Sequence, residues 1–428
     1  MCTRCFVTAI LLGAFLWGPS VRAQTQPGTP QAPVRITLDD AVRLSLAHNH
    51  ALAAARTVIQ QSQAQETTAN LRPNPVLLAD AQFLPIFNPS RFTGDYIDQG
   101  AQFDLGVSYL FERGQKRQHR LQAAKDVTAV TISQVADSER MLTFTVASTF
   151  VAVLLAEANL DLARQDLDSF KSTVDISEAR FKAGDLSEGD FLKIKLQLLQ
   201  FQTDVSQAEL ARVQALVGLR ELLGYESVPA NYDVASALDY TSVQTTEEEA
   251  LALAAEHRPD LRAAIQGTAA AKSQYDLAVA NGKRDPTLQV SYSHVSGMSS
   301  ASSFFNMELP IFNRNQGEIA RTRFAMTQAA ELRRAAEETV EGDVASAYEG
   351  LTSNDRVIRL YRSGYLEEAR LSREISEYAY KRGAASLLDF LDAERSYRAT
   401  QLAYRQSLAS YMLAVEQLRE ATGIRSLP

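Results

Sequence analysis

Tyr380-Lys-Arg-Gly-Ala-Ala-Ser-Leu-Leu-Asp-Phe-Leu-Asp392 closes one helical run and opens the next. Gly383 stands where the first run must stop, because glycine adopts the left-handed helix-ending conformation without a side-chain clash. Beyond the turn, Leu387, Phe390 and Leu391 restart an apolar stripe, with Asp389 and Asp392 set among them. Acidic groups in a first helical turn are favoured by the helix dipole, which is one reading of both aspartates. The other reading is a ring of carboxylates at the mouth of a pore.

The same layout occurs earlier, in Phe181-Lys-Ala-Gly-Asp-Leu-Ser-Glu-Gly-Asp-Phe-Leu192. Gly184 corresponds to Gly383, Asp190 to Asp389 and Phe191-Leu192 to Phe390-Leu391, each 199 residues apart. Leu219-Arg-Glu and Gly224 correspond to Leu418-Arg-Glu and Gly423 at the same spacing. Near the start of each half, Thr37, Ala41, His48 and Leu52 match Thr246, Ala250, His257 and Leu261. The chain therefore reads as a tandem duplication. The halves are 36–224 and 246–424, joined by a connector over 225–245, with a tail over 425–428.

Residues 1–23 read as a secretory signal, with Arg4, an apolar stretch from Phe6 to Trp17, and Val21-Arg22-Ala23 for cleavage. Both cysteines, Cys2 and Cys5, lie in that segment, so the mature chain would hold no disulfide or thiolate metal site. Its removal takes the net charge from −8 to −10, which argues against nucleic acid as a partner. Gln24 to Arg35 is a flexible Pro/Gln/Thr linker. Thr37-Leu-Asp-Asp-Ala then opens a helix expected to run to about Arg72, where Pro73 and Pro75 end it.

The period then changes. Over 102–111, Phe103, Leu105, Val107, Tyr109 and Phe111 share one face, opposite Gln102, Asp104, Gly106 and Ser108. Val76 to Leu84 is a weaker strand. In the second half Leu288, Val290, Tyr292 and His294 share a face, opposite Thr287, Gln289, Ser291 and Ser293. Phe305, Met307 and Leu309 are expected to form the last strand, after a flexible Ser296 to Ser303. The strands have the length and alternation of membrane β-strands. The alternative is two hairpins covered by helices in a soluble domain.

Gln115 to Lys182 and Gly317 to Arg382 contain no proline. Val153, Leu160, Leu167, Val174 and Phe181 recur every seven residues, as do Val344, Leu351, Ile358 and Tyr365. Each run would be roughly 100 Å long as one helix. Shorter helices return, seamed by Phe191, Leu198 and Val205 and by Phe390, Tyr397 and Tyr404. Arg212 interrupts the first of these seams. Four membrane strands cannot close a barrel, and an open edge cannot stand in lipid. Three copies would give about twelve strands and a hollow helical cylinder continuing from them.

With Thr37-Leu-Asp-Asp-Ala, Leu71-Arg-Pro-Asn-Pro, Leu309-Pro-Ile-Phe-Asn-Arg and Leu388-Asp-Phe-Leu-Asp-Ala393, the whole mature chain resembles the TolC family of outer-membrane efflux ducts. The resemblance implies a mainly α fold with a membrane β-barrel portion, a homotrimeric channel-tunnel with a twelve-stranded barrel in outer-membrane lipid. It also implies a periplasmic adaptor and an inner-membrane pump as partners. It places Asp389 and Asp392 in the periplasmic entrance ring, and Tyr380 and Asp190 in a latch that holds the tip closed. A basic latch residue would fall on Ala385, leaving that role to Arg382, to Lys381, or to apolar closure through Leu387 and Leu388. Phe111-Glu-Arg-Gly-Gln-Lys-Arg117 resembles the heavy-metal branch, and a basic helix start at a barrel–helix junction accounts for it equally.

The five histidines form no ligand-spaced cluster, and His48 and His50, two apart, point away from each other if both are helical. No phosphate loop, nucleophile elbow or zinc pattern is present. The expectation is a passive export duct without enzymatic chemistry, resident metal or cofactor. A type I protein-secretion duct, a periplasmic coiled-coil adaptor and a periplasmic hydrolase are the competing classes. Adaptors lack the duplicated halves and membrane hairpins.

Overall fold

The computed structural model describes residues 33–425. The secretory segment, most of the linker and the end of the tail lie outside them. The first half comprises β1 (Arg35–Ile36), α1 (Leu38–His48), α2 (His50–Ala69), β2 (Val76–Gln82), α3 (Gly94–Gln99), β3 (Gln102–Leu110), α4 (Lys116–Lys182) and α5 (Glu188–Leu223). After β4 (Asp233–Val234), the second half brings α6 (Glu247–His257), α7 (Pro259–Asn281), β5 (Thr287–Val295) and β6 (Met298–Asn306). It ends with α8 (Gln316–Leu360), a π-helical turn (Tyr361–Tyr365), α9 (Leu366–Lys381) and α10 (Leu387–Thr422). The order helix pair, hairpin, long helix, tip, return helix thus occurs twice.

The four longer strands form one antiparallel sheet in the order β2-β3-β5-β6. Its register aligns Leu77, Val107, Val290 and Ser303 in one row and Ala79, Leu105, Tyr292 and Ala301 in the next. Leu77, Leu105, Val107, Val290 and Tyr292 are all exposed, an apolar face that none of the other described residues covers. The opposite face carries Asp80, Asp104, Ser293 and Ser300 in one row, and Gly106, Ser291 and Ser302 in another. Gly106 has no room for a side chain there, since an added Cβ would lie 2.7 Å from Ser291 Cβ.

The serine-rich stretch is not a flexible link. Ser296 and Gly297 both take positive φ, 51° and 73°, and make a two-residue turn that pairs Val295 with Met298. Such a turn matches the twist of a hairpin. The chain therefore continues directly from Met298 as β6, and Met307 and Leu309 fall beyond the strand.

Both opening helices are broken, the first where a continuous helix to about Arg72 was expected. Asn49 leaves the helix (φ −70°, ψ 116°), accepts from the Leu52 N–H through its side chain and donates Nδ2 to the Leu222 carbonyl, 3.2 Å. His48 and His50 thus sit on different helices. Arg258 is extended for a plainer reason, because Pro259 disfavours helix in the residue before it. The flexible linker ends before Arg35, since β1 pairs in parallel with β4 of the connector. Arg212, which breaks the α5 seam, donates to Asp233 Oδ1 at 2.8 Å and so ties α5 to that connector.

α4 is one unbroken helix, as expected from its freedom from proline. By length and composition it includes a stretch apolar enough to cross a membrane. Val146, Phe150, Val153 and Leu154 of α4 are buried with Ile36, Val42, Leu219 and Val234, so core packing accounts for these four. The second long run is not continuous. Gly364 (φ 137°) lies in the π-helical turn that separates α8 from α9. Gly364 is the sequence signal for this break, because a residue without Cβ enters that region freely.

Candidate functional site: the tip of the helical hairpins

Four helices lie side by side toward the tip in the order α5, α4, α10, α9. Each hairpin turns on a glycine, Gly184 with φ 85° and Gly383 with φ 73°. The return helices start on Ser187 and Ser386, whose hydroxyls accept from the N–H of Asp190 and Asp389. Asp389 completes a capping box by accepting from Ser386 N–H (3.2 Å) and Oγ (2.7 Å). Asp190 accepts from Lys193 Nζ (3.0 Å) and Ser187 Oγ (2.9 Å), which hold its carboxyl below the usual carboxylate range. Within the chain, both aspartates thus have helix-start roles. Asp392 is exposed on the same face of α10, and Leu388, 76% exposed, stands beside them.

Tyr380 is 3% exposed and belongs to a small core with Phe170, Ile194, Phe201, Leu387 and Phe390, drawn from all four helices. Its ring stacks on Phe390 at 5.3 Å, as Phe181 stacks on Phe191 at 4.9 Å in the first hairpin. These two pairs are equivalent in the duplication. The structure does not bring Asp190 to Tyr380. The Tyr380 hydroxyl lies 3.4 Å from Ser177 Oγ, and the residue is gripped by Arg180. The Arg180 guanidinium donates to the Tyr380 carbonyl (3.2 Å) and covers its ring at 5.3 Å. Arg382 instead lies over Tyr378, and Lys381 pairs with Glu377 at 2.6 Å. Arg180 was not singled out from the sequence. Its only signal is that its duplicate position holds Ala379.

Above this core, charged groups tie the two hairpins together. Arg398 of α10 donates to Asp166 of α4 (3.0 Å) and Asp204 of α5 (2.6 Å) and lies over the Phe201 ring. Arg373 of α9 pairs with Glu394 (2.7 Å) and donates to Ser169 Oγ of α4 (2.6 Å). Burial pushes the Asp166 carboxyl up, against the opposing pull of Arg398. Among the described residues, no three His, Cys, Asp or Glu side chains gather as a metal site would require.

The comparisons agree with this geometry. The chain is 23% identical over 415 residues to the cobalt-zinc-cadmium resistance protein CzcC of Cupriavidus metallidurans, covering 94% of this chain and 95% of that one. It is 25% identical to the pyoverdine export outer membrane protein OpmQ of Pseudomonas aeruginosa, covering 90% and 85%. Among solved structures, a membrane protein from Pseudomonas aeruginosa superposes with a TM-score of 0.77 at 19% identity, covering 90% of this chain and 92% of the other. CusC superposes with a TM-score of 0.75 at 19% identity, covering 94% and 96%. The fold is thus that of the TolC-like channel-tunnels. The family model for outer membrane efflux proteins matches residues 41–225 and 250–424, which is most of the chain, and the protein belongs to that family: an efflux channel of the outer membrane with its helical tunnel in the periplasm.

Proposed function

We propose that three copies of the chain form the exit duct of a tripartite efflux system. They would pass small molecules or metal ions outward without chemistry of their own, energised by an inner-membrane pump through a periplasmic adaptor. One observation carries the trimer: the protomer is open on both sides at every level. The sheet ends in β2 and β6, whose outer edges are unpaired among the described residues, and the sheet carries an exposed apolar face. The row of helices ends in α5 and α9, each with an apolar stripe facing outward. On α5 these are Leu192, Leu196, Leu199, Leu210, Val213 and Val217; on α9 they are Leu371, Ile375 and Tyr378. Two different edges that meet each other make a head-to-tail contact, which gives a ring where the rotation between copies closes; with four strands per chain, three copies would supply about twelve strands. Residues 1–23 would direct export and be removed. At the tip Asp389, Asp392 and Leu388 would line the periplasmic entrance. Arg180 would take the basic role at the latch that Arg382 and Lys381 leave unfilled.

The test is the mass of the protein extracted from outer membrane in mild detergent. Three chains are expected, and Leu196→Glu with Leu199→Glu should weaken the assembly. A stable monomer with full strand content would sink the reading.

A further inference from the structure

We propose that a cleft at the foot of β3 binds the headgroup phosphate of a phospholipid in the periplasmic leaflet of the outer membrane. The cleft measures about 300 Å³ and lies where Arg72 and Pro73 approach the Tyr109–Gln118 segment. Its lining includes Lys116 and Arg117 from the basic run after Phe111, which the channel function leaves unexplained.

Its charges sort into two groups. Lys116 is spent on Asp285 at 2.6 Å, and Glu112 is spent on Arg120 at 2.7 Å. Arg72 and Arg117 remain, and neither side chain has a hydrogen bond or ion pair to any described residue. Two unmatched guanidinium groups sharing one cleft, in a chain of net charge −8, call for an anion. Guanidinium binds phosphate oxygens in pairs and holds its charge at any physiological pH.

The surroundings select a lipid over a free anion. Tyr109 and Phe111 border the cleft with their rings 4.9 Å apart, edge to face. Aromatic side chains favour this depth in a membrane, where hydrocarbon meets headgroups. The Phe111 N–H donates to the Pro286 carbonyl at 2.9 Å, which fixes that border. Directly above run the exposed Val107, Leu105 and Leu77 of the apolar face. A phospholipid with its phosphate between Arg72 and Arg117 would lay its acyl chains along those residues. α4 leaves the same point toward the periplasm, so the leaflet is the inner one.

The experiment uses the assembled full-length protein, delipidated in a non-ionic detergent and titrated under native mass spectrometry. The probes are phosphatidylglycerol, diacylglycerol with the same chains, and inorganic phosphate. Phosphatidylglycerol should bind at least about tenfold more tightly than diacylglycerol, since only the phosphate meets the guanidinium groups. Arg72→Gln with Arg117→Gln should lose about tenfold in phosphatidylglycerol affinity, whereas Arg72→Lys with Arg117→Lys should lose less, because it keeps the charge but not the paired hydrogen bonds. Equal binding of the two lipids, or an unchanged affinity in the glutamine variant, overturns the proposal. Displacement of the lipid by millimolar inorganic phosphate overturns the lipid assignment in favour of a free-anion site. Should the glutamine variant fail to assemble, the wild-type lipid series decides alone. Loss of lipid binding with channel conductance intact would leave the efflux function standing.

Discussion

Arg258 carries its charge at 3% exposure, and its surroundings explain how. It donates to both carboxylate oxygens of Asp260 (3.0 and 2.6 Å) and to Asp343 at 2.8 Å, pinning the break between α6 and α7 against α8. Removing one partner of a buried pair leaves the others unmatched and costs about 3–5 kcal/mol. Arg258→Met should fall at the low end of that range, because the carboxylates reach water, and urea unfolding measures it. Burial pushes the Asp260 carboxyl up, but the hydrogen bond and charge of Arg258 prevail and hold it below the usual carboxylate range. Its contribution is therefore complete above the unfolded value and is lost as pH falls through the lower folded value, below about pH 4. Asp260→Asn should flatten the acid side of the stability profile in that window, and an unchanged profile would refute the assignment. Residues of this kind were only partly legible. Arg212 was visible as an interruption but needed Asp233 of the connector to explain it. Arg180 was invisible because its grip on Tyr380 crosses from one half of the duplication to the other.

Period settles most of the elements. Alternation over 102–111 places β3 to within one residue of its observed end at Leu110, and in β3 and β5 the odd and even faces divide as the register requires. The face assignment can be tested in one pair of variants. Val107→Arg puts a charge on the lipid side and should cost about 2–4 kcal/mol near the midplane, seen as failed insertion. Ser108→Arg points to the polar face and should assemble far better. Equal damage from both would mean that the register is wrong. Where elements were misplaced, a local signal was overridden or overlooked. Serine has no strand pattern of its own, so β6 is visible only through the Ser296-Gly297 turn and the partner it pairs with. The breaks at Asn49 and Arg258 lie within apolar patterns that continue across them, and only the cap and Pro259 mark them. The long second run hides its π-helical turn because freedom from proline does not guarantee continuity, and Gly364 is enough to interrupt it.

At the scale of the whole assembly, the decisive question is what the tip aspartates do. In the single chain Asp389 has the capping role that the helix start predicts, held by Ser386, while Asp392 is exposed and without a partner among the described residues. A capping carboxylate is not consumed by its cap, since only one of its oxygens accepts from Ser386 and the charge remains. In a closed ring of three protomers, Asp389 and Asp392 would therefore form two stacked sets of carboxylates around the axis. Such rings favour cations and hold multivalent ones. Asp389→Ala with Asp392→Ala should lower cation selectivity in planar bilayers and remove block by trivalent cations, with the oligomer unchanged. If the residues serve only the start of α10, the same variant should melt at a slightly lower temperature and keep its reversal potential. The lone Asp392→Ala variant separates the roles further, because it leaves the Ser386 cap intact. It should shift selectivity without changing the melting temperature, and a reversal potential equal to that of the wild type would remove Asp392 from the entrance.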